Sequence, residues 1–409
     1  ISLNSTIEGI LENEDIDYYL VEAKKGQRIS AEVEGIRLGN SFYDPYLAIM
    51  NMDRFELSAS DDTALLLQDS TTSIVAPEDG KYVILIRESS YTGNGSCRYR
   101  LHVGSFPRPI AVYPAGGQKG TELKVNLIGD PMGESELTVN LPDSGIAEHK
   151  IFNQSNDLLS PSPNKLRVSN YPNAMEVEPN DNRAQSTIVK APLPIAFNGI
   201  INKDGDHDWF KFTAKKGQRF IFRAHAKSIS SPLDPVVNLF GPDNKQITAN
   251  DDADNKQDSK IDFTAAVDGE FTIRIRDHLG KGGDNYIYRI ESEPVSPSLA
   301  LTIPYFGRAD YQSRQMIYVA QGNRFVTRIN AARSNFGGDL VFEANDLPQG
   351  IKLISHGMNS SINTGLISFE ASPDAPIGGK LINLVARHAD SEKNISGHFS
   401  QPLDFVLGA

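Results

Sequence analysis

The hexapeptide "AKKGQR" occurs twice, at residues 23–28 and 214–219. A chain that writes one module twice must fold one architecture twice. The match continues in order on both sides. Gly9 aligns with Gly199, and Asp15-Ile16-Asp17-Tyr18-Tyr19 aligns with Asp206-His207-Asp208-Trp209-Phe210. Asp44-Pro45 then aligns with Asp234-Pro235, Asp61-Asp62 with Asp251-Asp252, and Asp69-Ser70 with Asp258-Ser259. "EDGKYVILIRE" (78–88) follows against "VDGEFTIRIRD" (267–277), and Tyr99 against Tyr288. The offset stays between 189 and 191, so the repeat is a domain of about 100 residues rather than a short solenoid unit.

Each copy alternates like a strand protein. In "RISAEVEG" (28–35), Ile29, Ala31 and Val33 alternate with Ser30, Glu32 and Glu34. In "EFTIRIRD" (270–277), Phe271, Ile273 and Ile275 alternate with Thr272, Arg274 and Arg276. Period two means one buried and one wet face. Turn signals at Lys25-Gly26, Asp79-Gly80, Gly217, Asp268-Gly269 and Gly282-Gly283 separate the runs. The fold class expected is all-β, as tandem antiparallel sandwiches. Between the copies, "FPRPIAVYPAGGQKGTELKVNLIGD" (106–130) opens a small immunoglobulin-like domain, expected to end near a linker "SPSPNKLRVSNYPNA" (160–174). Alternation in "RFVTRINA" (324–331) and "DLVFEAND" (339–346) indicates a second immunoglobulin-like sandwich. Four modules are expected, at 1–105, 106–172, 173–294 and 295–409.

The motifs of the second copy resemble a known family. "EVEPNDNRAQST", Gly199, "DGDHDWFKFTAKKGQ", "DD", "DS", "DGEFTIRIRD" and "YIYRIE" look like a bacterial pre-peptidase C-terminal domain. This β-sandwich of jelly-roll type is appended to many secreted proteases, including the collagen-binding domains of clostridial collagenases. The full motif set spans roughly 174–293, and 4–103 carries it without the leading acidic segment. The combination with "YPAGGQKG" and the last domain resembles multidomain exported proteins of planctomycete-type bacteria. The resemblance implies export to the periplasm, cell surface or medium, and a noncatalytic role beside other domains.

The acidic segment "AMEVEPNDNRAQ" (174–185) carries the candidate site. Pro179 biases Glu178 toward an extended backbone. On such a backbone Glu176, Glu178 and Asn180 share a side and Asp181 faces the other way, while Asp206 and Asp208 share a side further on. A hard cation such as Ca²⁺ takes about 6–8 oxygen ligands. The segment supplies most of them if it folds back on the Asp206–Asp208 turn. The resemblance implies the same Ca²⁺ ligands: Glu176, Glu178, Asn180 and Asp181, joined by Asp206 and Asp208, with Asp204 the alternative to either aspartate. The competing reading is a solvated acidic linker. Yet unit charges about 4 Å apart repel by about 1 kcal/mol in water and about 4 at a surface-like dielectric, so clustered carboxylates need a cation. An EF-hand is excluded, because Trp209 stands where Gly is required and Lys215 where the bidentate Glu belongs. The first copy keeps Asp15 and Asp17 but only eight residues precede Gly9, so no comparable calcium site is expected there. Asp251 and Asp252 in "NDDADNKQD" (250–258) read as a turn in preference to a metal site.

Other classes are excluded more simply. A net charge of −12 and a pI near 5.2 argue against nucleic acid. No apolar run approaches the roughly 18–20 residues that span a bilayer. Ile1-Ser2-Leu3-Asn4 resembles the start of a trimmed product more than a signal peptide. The single cysteine, Cys97, forms no intramolecular disulfide and reads as buried and inert. The eight histidines are scattered, with no HExxH, no G-x-S-x-G and no phosphate loop, so no enzyme is expected. His207 reads as a surface side chain. Among the tyrosines, Tyr18, Tyr43, Tyr91 and Tyr286 are candidates for a binding face, whereas Tyr82, Tyr99, Tyr288 and Phe271 read as core. The expected partners are an extracellular protein or polysaccharide, or neighbouring domains of a longer protein. The alternative is a spacer that displays an enzyme domain and has no ligand of its own.

Overall fold

Both copies fold as their alternation predicts. The computed structural model describes residues 1–39, 41–253, 257–304 and 316–400. Over these the chain is all-β, with helix confined to 3-10 turns of three residues. No helix is long and apolar enough to cross a membrane among the described residues. The chain divides into two compact units, 1–294 and 295–409.

The first copy has eight strands: β1 (Ser5–Ile10), β2 (Ile16–Ala23), β3 (Arg28–Glu34), β4 (Pro45–Met50), β5 (Glu56–Ser60), β6 (Thr71–Val75), β7 (Gly80–Glu88) and β8 (Arg98–Gly104). They form two antiparallel sheets, ordered β1-β8-β3-β6 and β2-β7-β4-β5. The second copy repeats both orders from Ala196–Ile200 to Ile287–Pro294, and repeats the register. Gly9 lies opposite Tyr99, and Gly199 opposite Tyr288. The second copy adds two short parallel strands, Asn173–Met175 beside Ala196–Ile200 and Thr187–Ile188 beside Asp208–Ala214.

The predicted inward residues fill the cores. Ile29, Ala31, Val33, Leu47, Ile49, Ile84 and Ile86 pack the first, with the Cys97 thiol buried among them. The second is built on phenylalanines. Phe212, Phe222, Phe263 and Phe271 meet at centroid distances such as 5.0 Å for Phe263 and Phe271, edge to face. Such offset contacts add to the large apolar area each ring buries. Tyr82, Tyr99, Tyr288 and Phe271 are core as predicted.

The duplicated hexapeptide is a turn with its own side-chain clasp. Gly26 and Gly217 take φ values of +80° and +86°, open to glycine at little cost. Gln27 Oε1 accepts the Lys24 N–H at 3.0 Å, and Gln218 Oε1 the Lys215 N–H at 2.8 Å. Asp79 and Asp268, from the Asp-Gly turns, accept the N–H groups of Lys25 and Lys216 at 2.7 and 2.6 Å. Two distant motifs therefore recur together because they bond to each other.

Residues 106–172 carry two three-stranded sheets and a small core of Val112, Val125, Leu127, Val139, Ile151 and Leu166. Here the expected linker is corrected. Asn164–Ser169 is the central strand of its sheet, parallel to Gly116–Gln118 and antiparallel to Glu148–Ile151, with Leu166 fully buried. The prolines at 161 and 163 disguised a period-two run in which Leu166 and Val168 face in. No sheet runs across 105/106 or 172/173 among the described residues.

The second unit has one sheet of Ser298–Thr302, Arg324–Ser334, Thr364–Ala371 and Ile351–Ile354, and another of Leu340–Asn345, Asn383–His388 and Ser396–His398. Leu301, Ile329, Leu340, Ile367 and Phe369 pack between them. Residues 305–315 and 401–409 of the expected last module lie outside the described residues.

Candidate metal centre

The acidic segment bridges the edges of both sheets of the second copy. Its start pairs with Ala196–Ile200, and the Glu176 N–H continues that pairing to Asn198 O at 2.9 Å. Its end, after the 3-10 turn Arg183–Gln185 capped by Asn182, pairs with Asp208–Ala214. Between these anchors Val177 N–H donates to Thr187 Oγ1 at 2.9 Å, and Trp209 N–H to Asn180 O at 3.2 Å. The fold-back expected from sequence is thus present.

It brings one carboxylate oxygen each of Glu176, Glu178 and Asp208 within 4.8 Å of one another. Glu176 Oε1 accepts the Ile200 N–H at 2.8 Å. Glu178 accepts from the Asn180 N–H at 2.9 Å and from Asn202 Nδ2 at 3.0 Å. Asp208 Oδ2 accepts the Tyr288 hydroxyl at 2.7 Å, and that hydroxyl lies 3.4 Å from Glu176 Oε2. Asp208 Oδ1 is buried with no hydrogen-bond partner, and so are both side-chain atoms of Asn180, a fully buried residue. Buried polar atoms are normally satisfied, so these orphans point to a missing partner.

The charges point the same way. Burial pushes the Glu176 carboxyl up to about 7. Burial, and then the Glu176 charge, pushes Asp208 up to about 10. Without a cation the pair must hold a proton to stay together. Three carboxylates make an oxygen donor set of the kind a hard divalent cation takes. The residues fit such an ion.

Asp206 and Asp181 form a neighbouring pair of carboxyls. Asp206 accepts the N–H groups of Asn202 and His207, at 2.8 and 2.9 Å, and burial raises its pKa. Asp181 is half-exposed, and Lys203, 3.2 Å away, holds its carboxyl below the usual range. The alternative ligand Asp204 is engaged elsewhere, with Lys281 at 3.2 Å and the Gly282 N–H at 3.1 Å.

Sequence reasoning missed the roles of Tyr288 and Gly199. A Cβ on Gly199 would sit 2.2 Å from both Glu176 Oε2 and the Tyr288 hydroxyl. The signal was their recurrence as Gly9 and Tyr99. In the first copy the Tyr99 hydroxyl donates to Asp17 Oδ2 at 2.5 Å and meets the Tyr19 hydroxyl at 2.5 Å. There a tyrosine stands where the second copy places Phe210.

Other candidates resolve into structure. His225, Glu291 and Glu293 also cluster, but buried Glu291 is already paired with Arg289 at 2.8 Å and Arg167 at 3.2 Å. Two guanidiniums leave no charge there for a metal to neutralise. Asp251 Oδ1 accepts the Asp252 N–H at 3.1 Å, a turn contact; residues 254–256 of that cluster lie outside the described residues. Tyr43, a candidate for a binding face, is buried and donates to Arg98 O at 2.7 Å. Tyr18 and Tyr91 are exposed beside Arg54 and Arg87.

Several known proteins are similar to parts of this chain. A probable subtilase-type serine protease of Deinococcus radiodurans is 33% identical over 99 residues, which is 24% of this chain and 14% of that protein. The chain therefore spans about one seventh of that curated relative. Among solved structures, the pre-peptidase C-terminal domain of a Bacillus anthracis collagenase is similar at 11% identity and a TM-score of 0.22, over 28% of this chain and all of that one. A Clostridium perfringens structure of an M60 catalytic domain with two CBM51 domains is similar at 6% identity and a TM-score of 0.18, over 68% and 33%. Residues 206–277 match the family model of the bacterial pre-peptidase C-terminal domain. Over those residues this chain carries a bacterial pre-peptidase C-terminal domain.

Proposed function

We propose that this chain is a noncatalytic accessory region of an exported bacterial protein, which binds an extracellular protein or polysaccharide. Ca²⁺ stiffens its second copy. The observation that carries the calcium reading is the convergence of the carboxylates of Glu176, Glu178 and Asp208, with Asp208 Oδ1 buried and unpartnered. In this role Glu176, Glu178, Asn180 and Asp208 hold the ion, and Asp206 and Asp181 close its outer side. The cation would tie the acidic segment to both sheet edges, so that binding energy becomes folding energy of this copy.

The test is a thermal melt in EDTA and again in millimolar Ca²⁺. A ligand at a hundredfold excess over Kd adds about 2.7 kcal/mol to the native state. The expected result is an upward shift of one transition, abolished in Glu176→Ala with Asp181→Ala while sheet content is kept. Full calcium stabilisation of that double variant would reject the ligand assignment. Polymer binding is tested separately by retention on insoluble collagen, chitin, cellulose and cell-wall material. A chain that washes through all four is the spacer instead, a reading favoured by the buried ion pair Glu32–Arg108 between the first copy and the middle module.

A further inference from the structure

The two sheets of the first copy part along one seam, where β5 and β6 are each the edge strand of their own sheet. Against that seam the middle module sets Arg108, Ile110 and Gly129, and the second copy sets Ser230, Pro232 and Asn285. Together they enclose a cleft of about 320 Å³, at the lower end of the range for ligand sites.

The first-copy wall carries Ser58, Ser60, Thr63 and Ser73 with the largely buried Thr71 and Thr72. Thr71 donates its hydroxyl to Ala31 O and Ser73 donates its own to Ser30 Oγ, each at 2.9 Å. Thr72 Oγ1 donates to Ser58 Oγ at 2.6 Å, and Ser60 Oγ lies 3.0 Å from Thr63 Oγ1. A hydroxyl bonded in this way keeps acceptor lone pairs, and Ser58 keeps its proton to donate. The duplicated seam serves as a control. At the positions of Ser58, Ser60, Thr71, Thr72 and Ser73 the second copy has Thr248, Asn250, Lys260, Ile261 and Asp262. The sandwich therefore does not require the hydroxyl run, which occurs only where three modules meet.

Charge narrows the ligand class. Arg108, 1% exposed, forms an ion pair with the buried Glu32 at 2.7 Å, and its Nη2 has no hydrogen-bond partner. Buried and paired, it brings no free positive charge to the cleft. Asp62, also in the lining, repels anions, while Leu65, Ile110 and Pro232 offer apolar contact. Dense paired donors and acceptors, apolar contacts and no cationic excess suit a ring with many hydroxyls and C–H faces. We infer that this cleft binds a neutral saccharide unit of an extracellular polysaccharide. The inference rests on the polymer-binding reading above and names its ligand class and place.

The test uses the whole chain in affinity electrophoresis and titration calorimetry with laminarin, hydroxyethyl cellulose, galactomannan, chitohexaose and gelatin. Ser58→Trp fills the cleft, and Thr72→Val removes one hydroxyl at nearly constant volume. The expected result is binding of at least one glycan, weakened at least tenfold by Ser58→Trp and severalfold by Thr72→Val, with melting unchanged for Thr72→Val. Glycan binding that both variants leave intact overturns the inference. So does the absence of binding to all four glycans. Gelatin binding lost in Ser58→Trp overturns it too, by showing a peptide on the strand edges. If the chain is retained on an insoluble polymer regardless of Ser58→Trp, the polymer-binding reading stands and only the cleft falls. If nothing is retained and no glycan binds, both fall.

Discussion

At the residue scale the second copy turns on two buried carboxyls that share one small space. Glu176 and Asp208 have folded-state pKa values raised above their ordinary range by burial. Groups raised in this way add stability below their unfolded pKa and lose it as pH climbs through the folded value. For Glu176 that window runs from about 4.5 to about 7. In EDTA the melting temperature of this copy should therefore fall between pH 5 and pH 8. Glu176→Gln should flatten the fall and melt higher than the parent at pH 8, yet melt lower than it in Ca²⁺. Calorimetry at the two pH values, with and without the ion, decides this; equal slopes for parent and variant would reject it. A second expectation concerns Gly199, where any side chain meets Glu176 and Tyr288. Gly199→Ala should destabilise the copy by about 1–3 kcal/mol, the usual cost of overpacking, and weaken calcium binding. Chemical denaturation measures the first and titration calorimetry the second. Glu176 and Glu178 were legible because they lie in one short acidic run, and Asp206 and Asp208 because they recur as Asp15 and Asp17. Tyr288 was not, because its hydroxyl reaches Asp208 across 80 residues and its ring reads as core.

Elements were legible wherever one face is buried and the other wet. Period two placed Arg28–Glu34 and Gly269–Asp277 as strands with the right apolar face inward. Ser30 and Glu32, expected on a wet face, are instead buried against Phe106 and Arg108 of the middle module. Asn164–Ser169 was missed because flanking prolines are the usual mark of a connector. The two edge strands Asn173–Met175 and Thr187–Ile188 were invisible for another reason. They are too short to alternate, and only the sheet edges beside them make them strands. The hexapeptide turn gives this scale its prediction. Gly26 and Gly217 have the same left-handed backbone and open space around them, so only the backbone term separates glycine from alanine. Gly26→Ala and Gly217→Ala should each cost about 1–2 kcal/mol, and nearly the same amount. Urea unfolding of each single variant checks this. A cost confined to one copy would mean that the turns differ in ways the shared geometry does not show.

Across residues 1–294 the duplicated sheet face is used twice against the same middle module, with Arg223, His225 and Glu291 where the first copy has Glu32, Glu34 and His102. In the first copy β3 brings Glu32 and Glu34, and β8 brings Arg100 and His102. At the matching positions the second copy has Arg223 and His225, then Arg289 and Glu291. Glu32 is clasped by Arg108 of the middle module at 2.7 Å, and also bonds its Ser162. Arg289 reaches the other way, to Ser169 Oγ at 3.0 Å and Asn173 Oδ1 at 2.5 Å. Nothing local in sequence announces these joints, because each partner lies in a different module and reads alone as a surface charge on a strand. A buried ion pair contributes little net stability, but removing one partner strands a charge and costs about 3–5 kcal/mol. Arg108→Ala should therefore lower the first transition of the 1–294 unit by that amount and separate the first copy from the rest. Arg108→Met with Glu32→Leu should restore most of the loss, because apolar groups of similar size need no counter-charge. Calorimetry on both variants, with limited proteolysis between residues 104 and 110 as a second readout, distinguishes the outcomes. Equal melting of Arg108→Ala and the parent would show that the Glu32–Arg108 pair does not hold the first copy to the middle module.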